Sequence, residues 1–364
     1  MRHRFHALCP YFAMFPETFV ETWAERLTRP GDYVLDPFCG RGTTPFQALL
    51  MHRRAVASDI NPVAYCVTRA KTNAPPIATV RRRLTSLQRE FKPNAWEDQR
   101  KQLPTFFRWA YNPATLRQVV YLRSRLRWRD SDVDCFIAAL TLGSLHGESS
   151  ISPSYLSNQM PRTISTKPAY SIRFWTERGL RAPVRDAFDV LRQRLDYRYE
   201  SEPPNGRAIV WQMDMRELPR ARRMLPRRIA CVITSPPYLD VTSFEEDQWL
   251  RLWFLGGPPH PTYRKISKDD RHENPDAYWR MIADMWRTLG LILAPKADVV
   301  VRLGGKGSAP ERLIEALTAS SAVSRRRVRL VSHETSEIRN RQTDAFRPGS
   351  KGCILEVDCH FRVS

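Results

Sequence analysis

Residues 33–59 constrain the fold of this chain more than any other stretch. Tyr33-Val34-Leu35-Asp36 is a short apolar run closed by an acid. Pro37-Phe38-Cys39-Gly40-Arg41-Gly42-Thr43-Thr44 follows, and then a helical period carries Phe46, Ala48, Leu49 and Leu50. A second apolar run, Ala55-Val56-Ala57-Ser58-Asp59, again ends in an acid. Strand, Gly-x-Gly turn, helix, strand is the opening unit of an open α/β sheet. The glycines let the backbone approach a ligand closely, and the helix N-terminus offers free N–H groups to an anion. An acid at the end of the second strand is positioned to accept hydrogen bonds from ribose hydroxyls. The spacing departs from the G-x-G-x-x-G of dinucleotide enzymes, because Thr43 and Pro45 follow Gly42.

The second landmark is Thr234-Ser235-Pro236-Pro237-Tyr238. Ile229 to Thr234 reads as a buried strand, with Ala230, Cys231, Val232 and Ile233 in one apolar block. Proline fixes φ, lacks an N–H and pushes the preceding residue out of the helical region, so the chain must leave the strand in an extended turn. The turn presents the Ser235 hydroxyl, the Pro236 carbonyl and the Tyr238 ring at the strand's carboxyl edge, where open α/β sheets bind ligands. Two acceptors beside an aromatic face suit a planar ring with an exocyclic amino group. Taken alone, the stretch fits equally well a proline turn closed by a packing tyrosine.

The chain of 364 residues is long enough for one large α/β domain with a sizeable insertion. Its formal net charge of +20 predicts a polyanionic partner, most simply nucleic acid. No apolar run approaches the ~18 residues of a membrane span, and no signal core follows Met1-Arg2-His3-Arg4, so no membrane association is expected. The seven cysteines lack a Cys-x-x-Cys spacing, which argues against zinc and against a disulfide framework, and no metal is expected. A reduced, cytoplasmic protein is the simplest expectation.

Around these landmarks the rest of the chain falls into three parts. Residues 1–72 hold an apolar lead-in from His6 to Pro16, a helix from Glu17 to Leu27 and the glycine-turn unit. Residues 73–205 lose strand alternation and read as helices, among them Thr115–Leu126, Asp132–Leu145 and Pro183–Leu195. Arg81-Arg82-Arg83, Arg123, Arg125, Arg127 and Arg129 alternate there with Phe106, Phe107, Trp109, Tyr111, Trp128, Tyr155, Tyr170, Phe174 and Trp175. That mixture suits a nucleic-acid surface, and it also describes a helical insertion with solvated basic faces. Residues 206–364 resume strand–helix alternation: strands at 208–212, 229–234 and 297–302, helices at 243–255, 275–293 and 310–317, and a closing strand pair at 327–332 and 353–363. The loop before the last strand carries Arg339, Arg341, Arg347 and Lys351. The pattern predicts a doubly wound α/β sheet interrupted by a large, mainly helical insertion.

The pair Asp36-Pro37-Phe38-Cys39-Gly40-Arg41-Gly42-Thr43-Thr44 and Thr234-Ser235-Pro236-Pro237-Tyr238 resembles the S-adenosylmethionine-dependent amino-group DNA methyltransferases. The lead-in at His6–Pro16 and the strand ending at Asp214 resemble further cofactor-side segments of that family. The resemblance covers roughly residues 5–72 and 206–363 and implies a Rossmann-like methyltransferase sheet, with the insertion as target-recognition region. It implies that Phe38, Gly40 and Gly42 shape the pocket for the cofactor's methionine end. Asp36 would pair with the cofactor's amino group and Thr43 or Thr44 with its carboxylate; Asp59 would hold the ribose, Ile60 would pack on the adenine and Asp214 would bond the adenine amino group. Ser235, Pro236, Pro237 and Tyr238 would form the catalytic turn gripping a flipped base. Arg41 falls at a variable position of the motif and receives no role.

The implied partner is double-stranded DNA, with a cognate restriction or defence system as a further candidate. Ser235 leans toward cytosine N4, with adenine N6 as the alternative. Amino groups of RNA or of a protein glutamine, and a catalytically silent nucleic-acid-binding relative, are the competing readings. Methylation at ring carbon five would need a thiolate, usually from a Pro-Cys pair, and the chain has none.

Overall fold

The computed structural model describes residues 2–11, 15–148, 155–160, 167–221, 223–225, 229–239, 244–262, 274–304, 309–337 and 355–364. The loop cations Arg339, Arg341, Arg347 and Lys351, and Phe12, Ala13 and Met14 of the lead-in, lie outside the described residues.

In chain order the elements are α1 (Glu17–Leu27), β1 (Tyr33–Asp36), α2 (Thr43–Leu50), β2 (Arg54–Asp59), α3 (Pro62–Thr72), α4 (Ile77–Glu90), α5 (Glu97–Lys101), α6 (Thr105–Ala110), α7 (Pro113–Arg125), α8 (Asp132–Leu142), α9 (Pro168–Glu177), α10 (Ala187–Tyr199), β3 (Ile209–Gln212), β4 (Ile229–Thr234), α11 (Phe244–Phe254), α12 (Pro275–Ile292), β5 (Ala297–Gly304), α13 (Pro310–Ser320), β6 (Val328–Glu337) and β7 (Leu355–Val363). They pack into two compact units. One comprises Tyr11–Thr68, Pro204–Ser243 and Ser267–Ser364; the other comprises Met1–Pro10, Arg69–Pro203 and Phe244–Ile266.

The first unit holds a seven-stranded sheet in the order β3-β2-β1-β4-β5-β7-β6. The first five strands are parallel, and β7 runs antiparallel between β5 and β6. Alternate strand residues serve opposite faces. Val34, Ala55, Cys231, Ile233 and Val300 face α1 and α2 through Phe19, Val20, Trp23 and Leu49. Leu35, Val56, Val232, Val299 and Val301 pack on Tyr278, Met281, Ile282, Met285, Trp286 and Leu289 of α12. Those α12 positions recur at helical spacing, and Asn274 starts the helix by accepting the Asp276 and Ala277 N–H groups. Covering both faces accounts for the near-continuous apolar strands, and the doubly wound α/β expectation holds.

Strand order reverses between β3 and β4. From β1 the chain steps outward through β2 and β3, then returns to lay β4 on the other flank of β1. The crevice beyond the carboxyl ends of β1 and β4 is therefore the switch point at which open sheets bind ligands.

The second unit is helical. The helix expected at Pro183–Leu195 is displaced to Ala187–Tyr199, because Asp186 caps it by accepting the Phe188 and Asp189 N–H groups. The interleaved aromatics mostly form its core: Phe106, Phe107, Tyr111, Trp128, Tyr155 and Trp175 are buried, and Phe107 lies 4.5 Å from Trp253 between ring centroids. Arg123 donates to the carbonyls of Trp253 and Gly257, at 2.7 and 3.2 Å. It serves packing, while Arg125, Arg127 and Arg129 are exposed. Among the described residues no helix is long and apolar enough to cross a membrane.

Candidate active site at the strand switch point

Sheet order sets four sequence-predicted segments side by side. Asp36, Asp59 and Thr234 end β1, β2 and β4, and Asp214 stands two residues beyond β3. The glycine turn leaves β1 and the Ser-Pro-Pro-Tyr turn leaves β4, and a hydrogen bond joins the two strand ends. Thr234 Oγ1 donates to Asp36 Oδ1 at 2.6 Å, and the Phe38 N–H donates to the same oxygen at 3.1 Å. Asp36 is fully buried, and its Oδ2 has no hydrogen-bond partner among the described residues. Burial raises its pKa to about 7; the Thr234 and Phe38 bonds and the Thr44 hydroxyl oppose that rise, and the nearby Asp59 charge adds to it.

The turn is pinned from β2 and α3. Gly40 and Gly42 have φ of 50° and 73°, and Gly42 caps α2. The Gly40 N–H donates to Asp59 Oδ2 at 2.8 Å, and the Asn61 N–H to Asp59 Oδ1 at 2.9 Å. Thr68 of α3 donates to the Gly40 carbonyl at 3.0 Å. A Cβ on Gly42 would fall 2.5 Å from Thr68 Oγ1, whereas one on Gly40 meets, among the described residues, the Tyr11 ring at 3.7 Å. Both alanine variants are strained by roughly 1–2 kcal/mol at positive φ, and Gly42→Ala adds an overpacking cost of typically 1–3 kcal/mol. Urea denaturation should therefore find Gly42→Ala clearly less stable than Gly40→Ala; equal loss would refute the packing role of Thr68.

The remaining expected site residues divide by partner. Thr44 is buried and donates to the Ile233 carbonyl at 3.1 Å, tying α2 to β4. Thr43 Oγ1 accepts from the Nε of the buried Arg41 at 3.4 Å. Phe38 packs partly buried against the α12-side core, and Ile60 is half-buried after β2. Asp214 accepts the Arg216 N–H at 2.9 Å and pairs with the Arg216 guanidinium.

In the β4 turn, Pro236 is buried, Pro237 is exposed, and Ser235 and Tyr238 are half-buried. The Tyr238 hydroxyl donates to Glu356 Oε1 at 2.8 Å. Burial, and then the Glu356 carboxylate, hold the phenol well above its ordinary pKa, so it stays a neutral donor. Glu356 pairs with Arg302 at 3.1 Å, and Arg302 binds Asp358 through two bonds of 2.6 and 2.7 Å. Sequence reasoning missed this trio. Its one signal was the pair of acids two residues apart in the last strand, placed to share a face with a lone arginine of a neighbouring strand.

A family model described as DNA methylase, of the N6/N4 type, matches residues 3–68. The Type II methyltransferase M.MjaII of Methanocaldococcus jannaschii is 29% identical over 97 residues, which cover 26% of this chain and 18% of the length of that relative. Among solved structures, TrmN from Thermus thermophilus aligns at 10% identity with a TM-score of 0.40, over 99% of this chain and 52% of that one. The rRNA methyltransferase aviRa from Streptomyces viridochromogenes aligns at 14% identity with a TM-score of 0.35, over 99% of this chain and 94% of that one.

Proposed function

We propose that this chain, a member of the amino-group DNA methylase family by its residues 3–68, methylates the exocyclic amino group of cytosine in double-stranded DNA. One observation carries the reading. The Thr234–Asp36 bond fastens the Ser-Pro-Pro-Tyr turn to the glycine turn, which supports a methyl donor and its acceptor held in one crevice. The residues fit S-adenosylmethionine: Gly40 carries no side chain to close the turn, Gly42 lets the turn pack on Thr68, and the buried Oδ2 of Asp36, without a hydrogen bond among the described residues, suits a cationic group. When bound, that cofactor supplies a methyl group activated on a sulfonium. Asp36 would hold its ammonium, Thr43 its carboxylate, Asp59 its ribose, and Ile60 and Asp214 its adenine.

The chain's own contribution is positioning and electrostatics. An exocyclic amino nitrogen is a poor nucleophile because its lone pair is delocalised into the ring. Ser235 Oγ and the Pro236 carbonyl, accepting from the two amino hydrogens, favour a more tetrahedral nitrogen and free that lone pair. Tyr238 stacks on the extruded base and offsets part of an unstacking cost of a few kcal/mol. Serine at position 235 is a neutral acceptor, which supports cytosine N4 over adenine N6. A cognate restriction or defence system is a further partner in this reading.

Mass spectrometry of nucleosides from DNA of cells expressing the chain should find N4-methylcytosine, which disappears in Asp59→Ala. N6-methyladenine alone would refute the base assignment, and methyl groups on RNA or protein alone would refute the DNA reading.

A further inference from the structure

Tyr238 reaches beyond its own turn. Glu356 and Asp358 are two residues apart on β7, so both carboxylates leave one face of that strand. The antiparallel register sets Asp358 opposite Arg302 of β5, and Glu356 opposite Gly304. Gly304 has no side chain to occupy the space over β5. The Glu356 carboxylate can therefore cross that strand toward β4, where it accepts the Tyr238 phenol. Its other oxygen is held by Arg302, itself fixed by Asp358 and lying 4.0 Å over the Phe19 ring. The Ser235 side chain interacts with the same phenol.

A buried ion network is a weak stability device, since apolar packing of equal volume often serves as well. A network ending on the tip of a turn residue has another effect. A tyrosine on a loop has two free torsions, and an anchored hydroxyl removes most of that freedom before any base arrives.

We propose that Glu356 is a positioning residue for the catalytic turn: backed by Arg302 and Asp358, it locks the Tyr238 ring in the plane on which the target base stacks. This rests on the methyl-transfer reading above. A charge-assisted acceptor suits the task, because such bonds are shorter and stronger than neutral ones.

The test is a double-mutant cycle on the full chain, with methyl transfer from S-adenosylmethionine to unmethylated plasmid DNA as the assay. Tyr238→Phe keeps the ring and loses the anchor; Glu356→Gln keeps the shape and loses the charge. Each should lower kcat about tenfold, the scale of one hydrogen bond, and leave cofactor affinity by calorimetry unchanged. The double variant should be no slower than the slower single, because both act through one contact. Effects that multiply would assign Glu356 a merely structural role and overturn the proposal. So would Tyr238→Phe turning over like the unmodified chain, a result that holds even if Glu356→Gln fails to fold. An unmodified chain that transfers no methyl group to nucleic acid or protein would overturn the underlying reading instead, and is seen before any variant is made.

Discussion

Ser235→Ala is expected to lower the rate of methyl transfer by roughly a hundredfold or more while leaving S-adenosylmethionine affinity almost unchanged. The magnitude follows from what the hydroxyl is asked to do. In the flat ground-state base the amino hydrogens lie in the ring plane, and a hydrogen bond to Ser235 contributes little beyond orientation. As the nitrogen becomes tetrahedral its hydrogens gain positive character, and the contact strengthens where the barrier is highest. A group that acts mainly in the transition state affects kcat rather than binding, and removal of one preorganised polar group of this kind typically costs 10²–10³-fold. The effect on fold should be small, because Ser235 lies half-buried beyond the end of β4 and the Thr234 bond to Asp36 remains. Single-turnover rates beside calorimetric cofactor affinities separate the two quantities. Equal losses in both would mean that Ser235 shapes the cofactor pocket, and the catalytic assignment would fall.

What the sequence revealed of this site follows from which interactions are local. The strand–glycine turn–helix unit is written in consecutive residues, so β1, α2 and β2 lie where periodicity places them. Helix caps are local too: Asp186 displaces α10 because a side chain three or fewer residues away accepts its first N–H groups. The link between Thr234 and Asp36 spans almost two hundred residues and depends on β4 returning beside β1. Only strand order reveals it. The Tyr238–Glu356–Arg302–Asp358 network needs more still, namely the register of an antiparallel strand within a largely parallel sheet.

The helical unit teaches the converse. Arginines alternating with aromatics look alike whether they face a partner or one another. Burial decides: Arg83 pairs with Asp134 and Arg123 with backbone carbonyls, while Arg125, Arg127 and Arg129 are exposed.

Cofactor binding should be linked to protons through Asp36. Folding raises this carboxyl from its ordinary 3.8 to about 7, chiefly because the group is buried. A raised carboxyl pKa means that the folded chain prefers the protonated form. Asp36 therefore contributes stability that is fully present below its unfolded pKa of 3.8 and is lost as pH rises through about 7; over that span the loss is roughly 4 kcal/mol at about 1.4 kcal/mol per pH unit. A cationic ligand reverses the preference. If the cofactor's ammonium pairs with Asp36, it favours the carboxylate, and binding below pH 7 must expel the proton. Affinity should then rise about tenfold per pH unit up to about 7. It should fall again above about pH 8, where an α-amino group loses its own charge. Calorimetry in two buffers of different ionisation enthalpy should detect close to one proton released per cofactor at about pH 6. Asp36→Asn, which keeps the shape and cannot ionise, should lose the acid limb and the proton release, and should bind more weakly at pH 7.5. The same variant should make the cofactor-free chain more stable at alkaline pH, because no buried charge then forms. A cofactor affinity flat from pH 5.5 to 7.5 in the unmodified chain, or an acid limb that survives in Asp36→Asn, would remove Asp36 from the cofactor site and leave it as the fastener between the two turns.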